Sequence, residues 1–229
     1  MARTPPSANV YIIPQSKDND RLQSRMVPML VLASASPRRQ ELLRNAGIAF
    51  EVHPADIAED SLPGEAAKNC AERLAREKAL TVARQRPHDV VLGADTVVVI
   101  DGQLLGKPSD AADAARMLRL LSGRKHQVIT GVCLVVSGVP SVASETTVVT
   151  VDELTEQEIA DYVSTGEPMD KAGAYAIQGI AARWIPRIDG DYSNVVGLPV
   201  ALVCRMLREI SFQFPVLGKS PGTEDSSKK

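Results

Sequence analysis

Aromatic residues make up only 3% of this 229-residue chain, with one Trp, four Tyr and three Phe. So few rings leave a core to be built from Val, Leu, Ile and Ala, and a hydrophobic content of 44% suffices for one. Cysteine is also scarce. Cys70, Cys133 and Cys204 lie far apart and form no CxxC pair, so they read as reduced, mostly buried thiols rather than a disulfide framework. Neither sign of charge dominates: the formal net charge is −2, which argues against nucleic acid or a membrane surface as partner. No apolar run reaches membrane-spanning length, and the patch Val10–Ile13 is too short for the core of a signal peptide. There is no internal repeat and no long linker. The expectation is a cytoplasmic protein of one domain, or one domain with two lobes.

The two ends differ from the middle. Residues 1–28 read as a flexible N-terminal extension, with Pro5, Pro6, Ser7 and the run Ser16–Asp20 loop-like. Residues 215–229 are rich in Gly, Ser, Pro and Lys and read as a disordered tail. The folded domain is expected over 29–214.

Its first stretch, Leu30 to Arg39, runs from a short apolar strand into Ser36-Pro37, where Ser36 suits an N-cap and Pro37 the first helical position. Leu42, Leu43 and Ala46 give the apolar stripe, and Gly47 a stop. Arg38 and Arg39 fall in the first turn, where the helix dipole disfavours cations by a few tenths of a kcal/mol each, up to about 1. That placement suits a docked anion, held by free N–H groups, two hydroxyls and two guanidinium forks. A solvated arginine pair beside a routine cap fits the stretch equally well.

Ala49–His53 reads as a strand, followed by a loop carrying Asp56, Glu59 and Asp60. A helix is expected over Glu65–Gln85, with Ala67, Ala71, Leu74 and Val82 on one face. Lys78 falls on that same face, where a lysine either snorkels outward or aims into a site. Asp89–Ile100 reads as a strand covered on both faces, interrupted by Asp95. A lone acid there is paired, metal-bound or functional, or else caps a strand end, and Gly93 allows close approach. Leu104–Pro108 reads as a loop that is not a Walker phosphate loop, although Lys107 could reach a phosphate. Beyond it come a helix over Ala111–Leu121, an antiparallel pair at Gln127–Val136 and Val142–Val151, and a capping box at Thr155 to Glu158 opening a helix to Thr165. The small-residue run Asp170–Gly179 holds Lys171 and Gln178. The chain closes with a strand at Ala182–Ile188, a turn at Gly190–Asn194, and a helix at Val200–Ile210 packed by Ala201, Val203, Cys204 and Leu207. Strands and helices are intermixed, which argues for an α/β fold with a mixed sheet.

Seven segments, in order, carry a family resemblance: LASASPRRQELL (Leu32–Leu43), RLAREKA (Arg73–Ala79), GADTVV (Gly93–Val98), GKP (Gly106–Pro108), LSGRKHQVITGV (Leu121–Val132), EPMDKAGAYAIQG (Glu167–Gly179) and NVVGLP (Asn194–Pro199). Together they resemble the Maf family of nucleoside triphosphate pyrophosphatases, and cover essentially Leu30 to Leu207. The resemblance implies an elongated, twisted mixed sheet flanked by helices, with two lobes and a deep cleft between them (Maf/ITPase-like). It also implies hydrolysis of a nucleoside triphosphate to monophosphate and pyrophosphate with a divalent cation, Mg²⁺ or Mn²⁺. By motif, Ser34, Arg38 and Arg39 match the phosphate-binding stretch, Lys78 the helix lysine, Asp95 the catalytic aspartate and Lys107 the lysine of the GKP loop. Glu59 matches a loop acid that joins Asp95 at the metal. Whether Asp95 is a general base or holds a metal-bound water stays open at this stage.

Three positions, Arg38, Thr96 and Gln178, resemble the family members that prefer dTTP and UTP; those that prefer 7-methyl-GTP carry an aromatic residue and two glutamates there. A cationic methylated purine favours an aromatic face and carboxylates, whereas the amide of Gln178 can pair with a pyrimidine. Modified pyrimidine nucleotides and a homodimer are compatible with this reading. The family's link to septum formation gives an alternative, a nucleotide-binding regulator acting through a protein partner. A phosphotransferase is a third, but no acceptor pocket is evident.

Overall fold

The structure, a computed structural model, describes residues 28–213. The expectations for residues 1–27 and for 215–229 lie outside the described residues. Seven strands form one mixed sheet: β1 (Leu30–Leu32), β2 (Glu51–Val52), β3 (Val90–Ile100), β4 (Gln103–Leu105), β5 (Lys125–Val136), β6 (Val139–Thr150) and β7 (Arg187–Asp189). Their order is β2-β1-β3-β5-β6-β7, with β4 also paired to β3. The β2–β1–β3 pairings are parallel and the rest antiparallel. Among the described residues six α-helices accompany the sheet: α1 (Pro37–Asn45), α2 (Ala67–Ala83), α3 (Ala111–Leu121), α4 (Glu156–Ser164), α5 (Tyr192–Val196) and α6 (Val200–Glu209). Among the described residues no helix is long and apolar enough to cross a membrane.

Two bodies of core lie towards the two ends of β3. One joins Leu30, Leu32 and Leu92 to Leu43 of α1 and Leu202, Val203 and Leu207 of α6. The other joins Val98 and Ile100 to Leu118 and Leu121 of α3 and Ile159 and Tyr162 of α4. These are the two lobes. Helix α2 covers the other face of the sheet, through Ala75, Ala79 and Val82 against Val91 and Cys133 and through Ala71 and Leu74 against Val97 and Ile129. The approach is close because Gly93 and Gly131 lie beneath it. A Cβ at Gly93 would overlap the Ala75 carbonyl and lie 2.8 Å from the Ala79 nitrogen, and one at Gly131 would overlap the Ala71 peptide.

Four local expectations change. Leu104 and Leu105 belong to β4, which folds back on β3 through Asp101-Gly102, both at positive φ (50° and 75°). Ala182–Ile188 is not a continuous strand. Ile180–Trp184 forms a 3₁₀ turn that buries Ala181 and Trp184, and only Arg187–Asp189 pairs with the sheet. The turn at Gly190-Asp191 leads at once into α5, because Asp191 caps it by accepting from the Ser193 N–H at 2.7 Å. On α6 the inward residues are Leu202, Val203, Met206 and Leu207; Ala201 is exposed and Cys204 half-buried. The Thr155–Glu158 capping box on α4 forms as expected.

Candidate active site

Strand β3 is bordered by β5 along one edge from Val90 to Val99. On its other edge β1 pairs only at Val90–Leu92 and β4 only at Val98–Ile100. Gly93–Val97 therefore has no strand neighbour on that side among the described residues. A cleft of about 900 Å³ opens at this gap, between the lobes. It is lined by Ser34, Arg38, Arg39, Glu59, Lys78, Asp95, Thr96, Lys107 and Gln178, so the fold brings all nine sequence-derived candidates to one place.

The centre of the cleft is a chain of alternating charge. Lys78, on the buried stripe of α2, reaches Asp95 Oδ1 at 2.7 Å and Glu59 Oε1 at 2.6 Å. Glu59 reaches onward to Lys107 Nζ at 3.0 Å. Burial pushes the Glu59 carboxyl up, but its hydrogen bonds and proximity to Lys78 and Lys107 outweigh this and hold it down at about 2. The acid therefore stays ionised at any ordinary pH. The close seating of α2 on Gly93 and Gly131 brings Lys78 within reach of Asp95.

On the opposite wall, Ser36 and Pro37 open α1 as expected, although the Ser36 side chain makes no capping bond. The two arginines then part ways. Arg38 stays at the cleft mouth and bonds Asp170 of the other lobe at 3.2 Å. Arg39 turns inward: its Nε donates to the Gly197 carbonyl at 2.7 Å, Nη1 to Ser34 Oγ at 3.0 Å and Nη2 to Thr96 Oγ1 at 3.1 Å. Burial lowers the Arg39 pKa, opposed by the nearby charges of Asp95 and Glu59. Ser34 Oγ also accepts from the Ser36 N–H at 3.3 Å, which leaves its own proton free to point into the cleft.

Thr96 lies behind this arginine rather than beside Asp95. Adjacent strand residues face opposite sides of a sheet. Its hydroxyl pairs with Thr130 Oγ1 at 3.0 Å, and Thr130 donates to the Asn194 carbonyl at 3.0 Å. The fully buried Asn194 amide donates to the Val128 carbonyl and to Thr147 Oγ1, both at 3.0 Å. Sequence reasoning missed this supporting layer. A buried asparagine in NVVGLP was the available signal.

Gln178 sits exposed on the far wall, and its side chain makes no hydrogen bond among the described residues. Beneath that wall Tyr175 bonds His126 Nε2 at 2.7 Å.

Among the described residues no three His, Cys, Asp or Glu side chains gather as a ready-made metal cage. What converges is a pair of carboxylates, Asp95 and Glu59, around one ammonium, with Asp95 Oδ2 free of hydrogen bonds. A hard cation such as Mg²⁺ or Mn²⁺ needs only one or two carboxylates when phosphate oxygens and waters supply the remaining ligands, so this oxygen set fits one.

The family model described as "Maf-like protein" matches residues 29–210. A protein of Koribacter versatilis named dTTP/UTP pyrophosphatase is 60% identical over 179 residues, spanning 78% of this chain and 93% of its own. Proteins of the same name from Symbiobacterium thermophilum and Anaeromyxobacter dehalogenans are 51% and 52% identical, over 84% and 83% of this chain and 98% of theirs. Among solved structures, the Staphylococcus aureus Ham1 protein aligns over 80% of this chain and 99% of its own, with a TM-score of 0.41 and 13% identity.

Proposed function

This chain belongs to the Maf family, and on that premise we propose that its cleft binds dTTP or UTP and hydrolyses it to the monophosphate and pyrophosphate. One observation carries the reading: the buried Lys78 held on Asp95 beside Glu59 and Lys107, facing the open end of α1. A module that only sensed nucleotide would need the cations but not a carboxylate poised on a buried lysine.

The triphosphate lies along the α1 N-terminus, accepting a hydrogen bond from the Ser34 hydroxyl and meeting the charge of Arg38. Its outer phosphates meet Lys78 and Lys107, which exchange part of their contact with Glu59 for the substrate anion. Arg39 acts from behind, holding Ser34, Thr96 and Gly197 in place. Asp95, fixed by Lys78 through one oxygen, presents the other to a water beside the α-phosphorus. The water oxygen bonds to that phosphorus, its proton passes to Asp95, and the bond to the bridging oxygen of the β-phosphate breaks. Lys78 and Lys107 neutralise the pyrophosphate as it leaves. Glu59 would hold a Mg²⁺ or Mn²⁺ ion through the oxygen contact that Lys78 and Lys107 give up, and the chemistry of that ion when bound is to neutralise phosphate charge.

At the base, the Gln178 amide offers an acceptor and donors to the N3–H and carbonyls of thymine or uracil. Arg38 gives a cationic 7-methylguanine no attraction, and Thr96 acts only from behind, through its bond to Arg39. The test is incubation with dTTP, UTP, dCTP and 7-methyl-GTP in the presence of Mg²⁺, with pyrophosphate and orthophosphate detected separately. The expected products are dTMP or UMP and pyrophosphate, with 7-methyl-GTP turned over far more slowly. Orthophosphate as the first product, or 7-methyl-GTP as the better substrate, would overturn the proposal.

A further inference from the structure

The wall that carries Gln178 is held from behind by two residues that do not line the cleft. Tyr162, buried on α4, donates its hydroxyl proton to Glu167 Oε1 at 2.8 Å. The same hydroxyl oxygen accepts the Ala176 N–H at 3.2 Å. Glu167 in turn accepts the Ile180 N–H on both oxygens, at 3.1 and 3.3 Å. The two ends of the segment 176–180 are thus tied to one hydroxyl–carboxylate pair, with Gln178 midway between the ties. Gly179 leaves room for this, because a Cβ on it would overlap the Glu167 carboxylate and push it from its seat. Both partners are themselves fixed: the Tyr162 ring packs edge-on against Trp184 with centroids 5.4 Å apart, and the Glu167 N–H donates to Thr165 Oγ1 at 3.2 Å.

We infer that Glu167 and Tyr162 are positioning residues for base selection: they clamp the backbone of 176–180 so that Gln178 is held in one place, where its amide meets a pyrimidine. This rests on the pyrimidine reading of the site given above. The side chains of the clamp stand apart from the catalytic carboxylate and lysines; only the Glu167 backbone carbonyl, which accepts from Lys171 Nζ, leads on through Asp170 towards Arg38. Glu167 and Tyr162 make no hydrogen bond to Asp95, Lys78 or Lys107. Loosening it lets the wall recede and admits a purine, while the cations and the attacking water keep their places. A polar pairing to the base discriminates only while its groups are held where the right base meets them.

The experiment uses the full chain with Glu167→Gln and Tyr162→Phe. Glu167→Gln keeps the shape but sets an NH₂ against the Ile180 N–H that the second carboxylate oxygen accepts. Tyr162→Phe removes a single oxygen, and carries the test if the glutamine variant does not fold. Rates for dTTP and dGTP are compared in wild type and variants, alongside hydrogen exchange of the nucleotide-free proteins. The dTTP-over-dGTP ratio of kcat/KM should fall about tenfold in Glu167→Gln and less in Tyr162→Phe, through KM, with kcat for dTTP held within about threefold. The amides of Ala176 and Ile180 should exchange faster in the variants while those of β3 and β5 do not change. A folded variant that keeps the wild-type ratio, or loses both rates in parallel, overturns the clamp. A wild type without preference for dTTP over dGTP instead overturns the reading of the site on which it rests.

Discussion

Lys78 Nζ lies 2.7 Å from Asp95 Oδ1, and their side chains are only 6% and 10% exposed. Each is the other's reason for being buried, yet their loss should have opposite consequences. In Asp95→Asn the amide oxygen still accepts from Lys78, so the fold survives, but the group that takes the proton is gone. Turnover should drop by roughly a hundredfold or more while nucleotide still binds. In Lys78→Met, Asp95 is left buried and unpaired beside Glu59, a change that typically costs about 3–5 kcal/mol. Thermal melts and dTTP turnover on the two variants check this. An Asp95→Asn enzyme within a few-fold of wild type would make Asp95 structural.

The neighbouring arginines should separate in the same way. Arg39→Ala breaks three bonds inside the fold, one to a backbone carbonyl, and should lower the melting temperature markedly. Arg38→Ala breaks one partly exposed pair with Asp170, worth about 1 kcal/mol or less, so its main effect should be on KM for nucleotide. Melting and KM measured together test the division. Equal loss of stability in both variants would contradict it.

The contrast shows what the sequence could and could not reveal. Two arginines in the first turn of a helix read alike, because periodicity does not say which side chain meets a neighbour remote in the chain. Arg39 owes its place to Gly197 and Thr96, 158 and 57 residues away. Lys78 and Asp95 were legible because each breaks an apolar pattern, and an unpaired charge there is too costly to be incidental. Most helices and the long strands were legible from period and caps. The 3₁₀ turn at Ile180–Trp184 was not, because an apolar run of that length serves a buried turn as well as a strand. The clamp on Gln178 was hidden for the same reason as the role of Arg39: Tyr162 reads as core, and only tertiary packing brings Glu167 to Ile180.

Gly131→Ala places a methyl into the Ala71 peptide of α2. The helix must move off the sheet, and with it Lys78. The variant should lose stability and activity together, by about 1–3 kcal/mol for overpacking of a filled interface. A matched alanine at exposed Gly106, whose Cβ would meet nothing within 4 Å, should leave stability close to wild type. Urea midpoints on both variants are the check, and a tolerated Gly131→Ala would contradict the close seating of α2.

His126 predicts an acid-side loss of stability. Burial lowers its pKa from 6.5 to about 4, and Nδ1 has no partner among the described residues. The unfolded chain takes up the proton as pH falls below 6.5, and the folded protein does so only near 4. The stability linked to neutral His126 is complete above pH 6.5 and drains as pH falls towards 4, by at most about 1.4 kcal/mol per pH unit. His126→Gln should remove that slope. Denaturant midpoints at several pH values between 7.5 and 4.5 measure it, and an unchanged slope in the variant would exclude His126 as its source.

The central claim is that water held by Asp95 attacks the α-phosphorus. Hydrolysis of dTTP in ¹⁸O-labelled water, with mass spectrometry of both products after a single turnover, tests it directly. The label should enter dTMP and be absent from pyrophosphate. Label in the pyrophosphate, or the appearance of dTDP and labelled orthophosphate, would place the attack on another phosphorus and contradict the account.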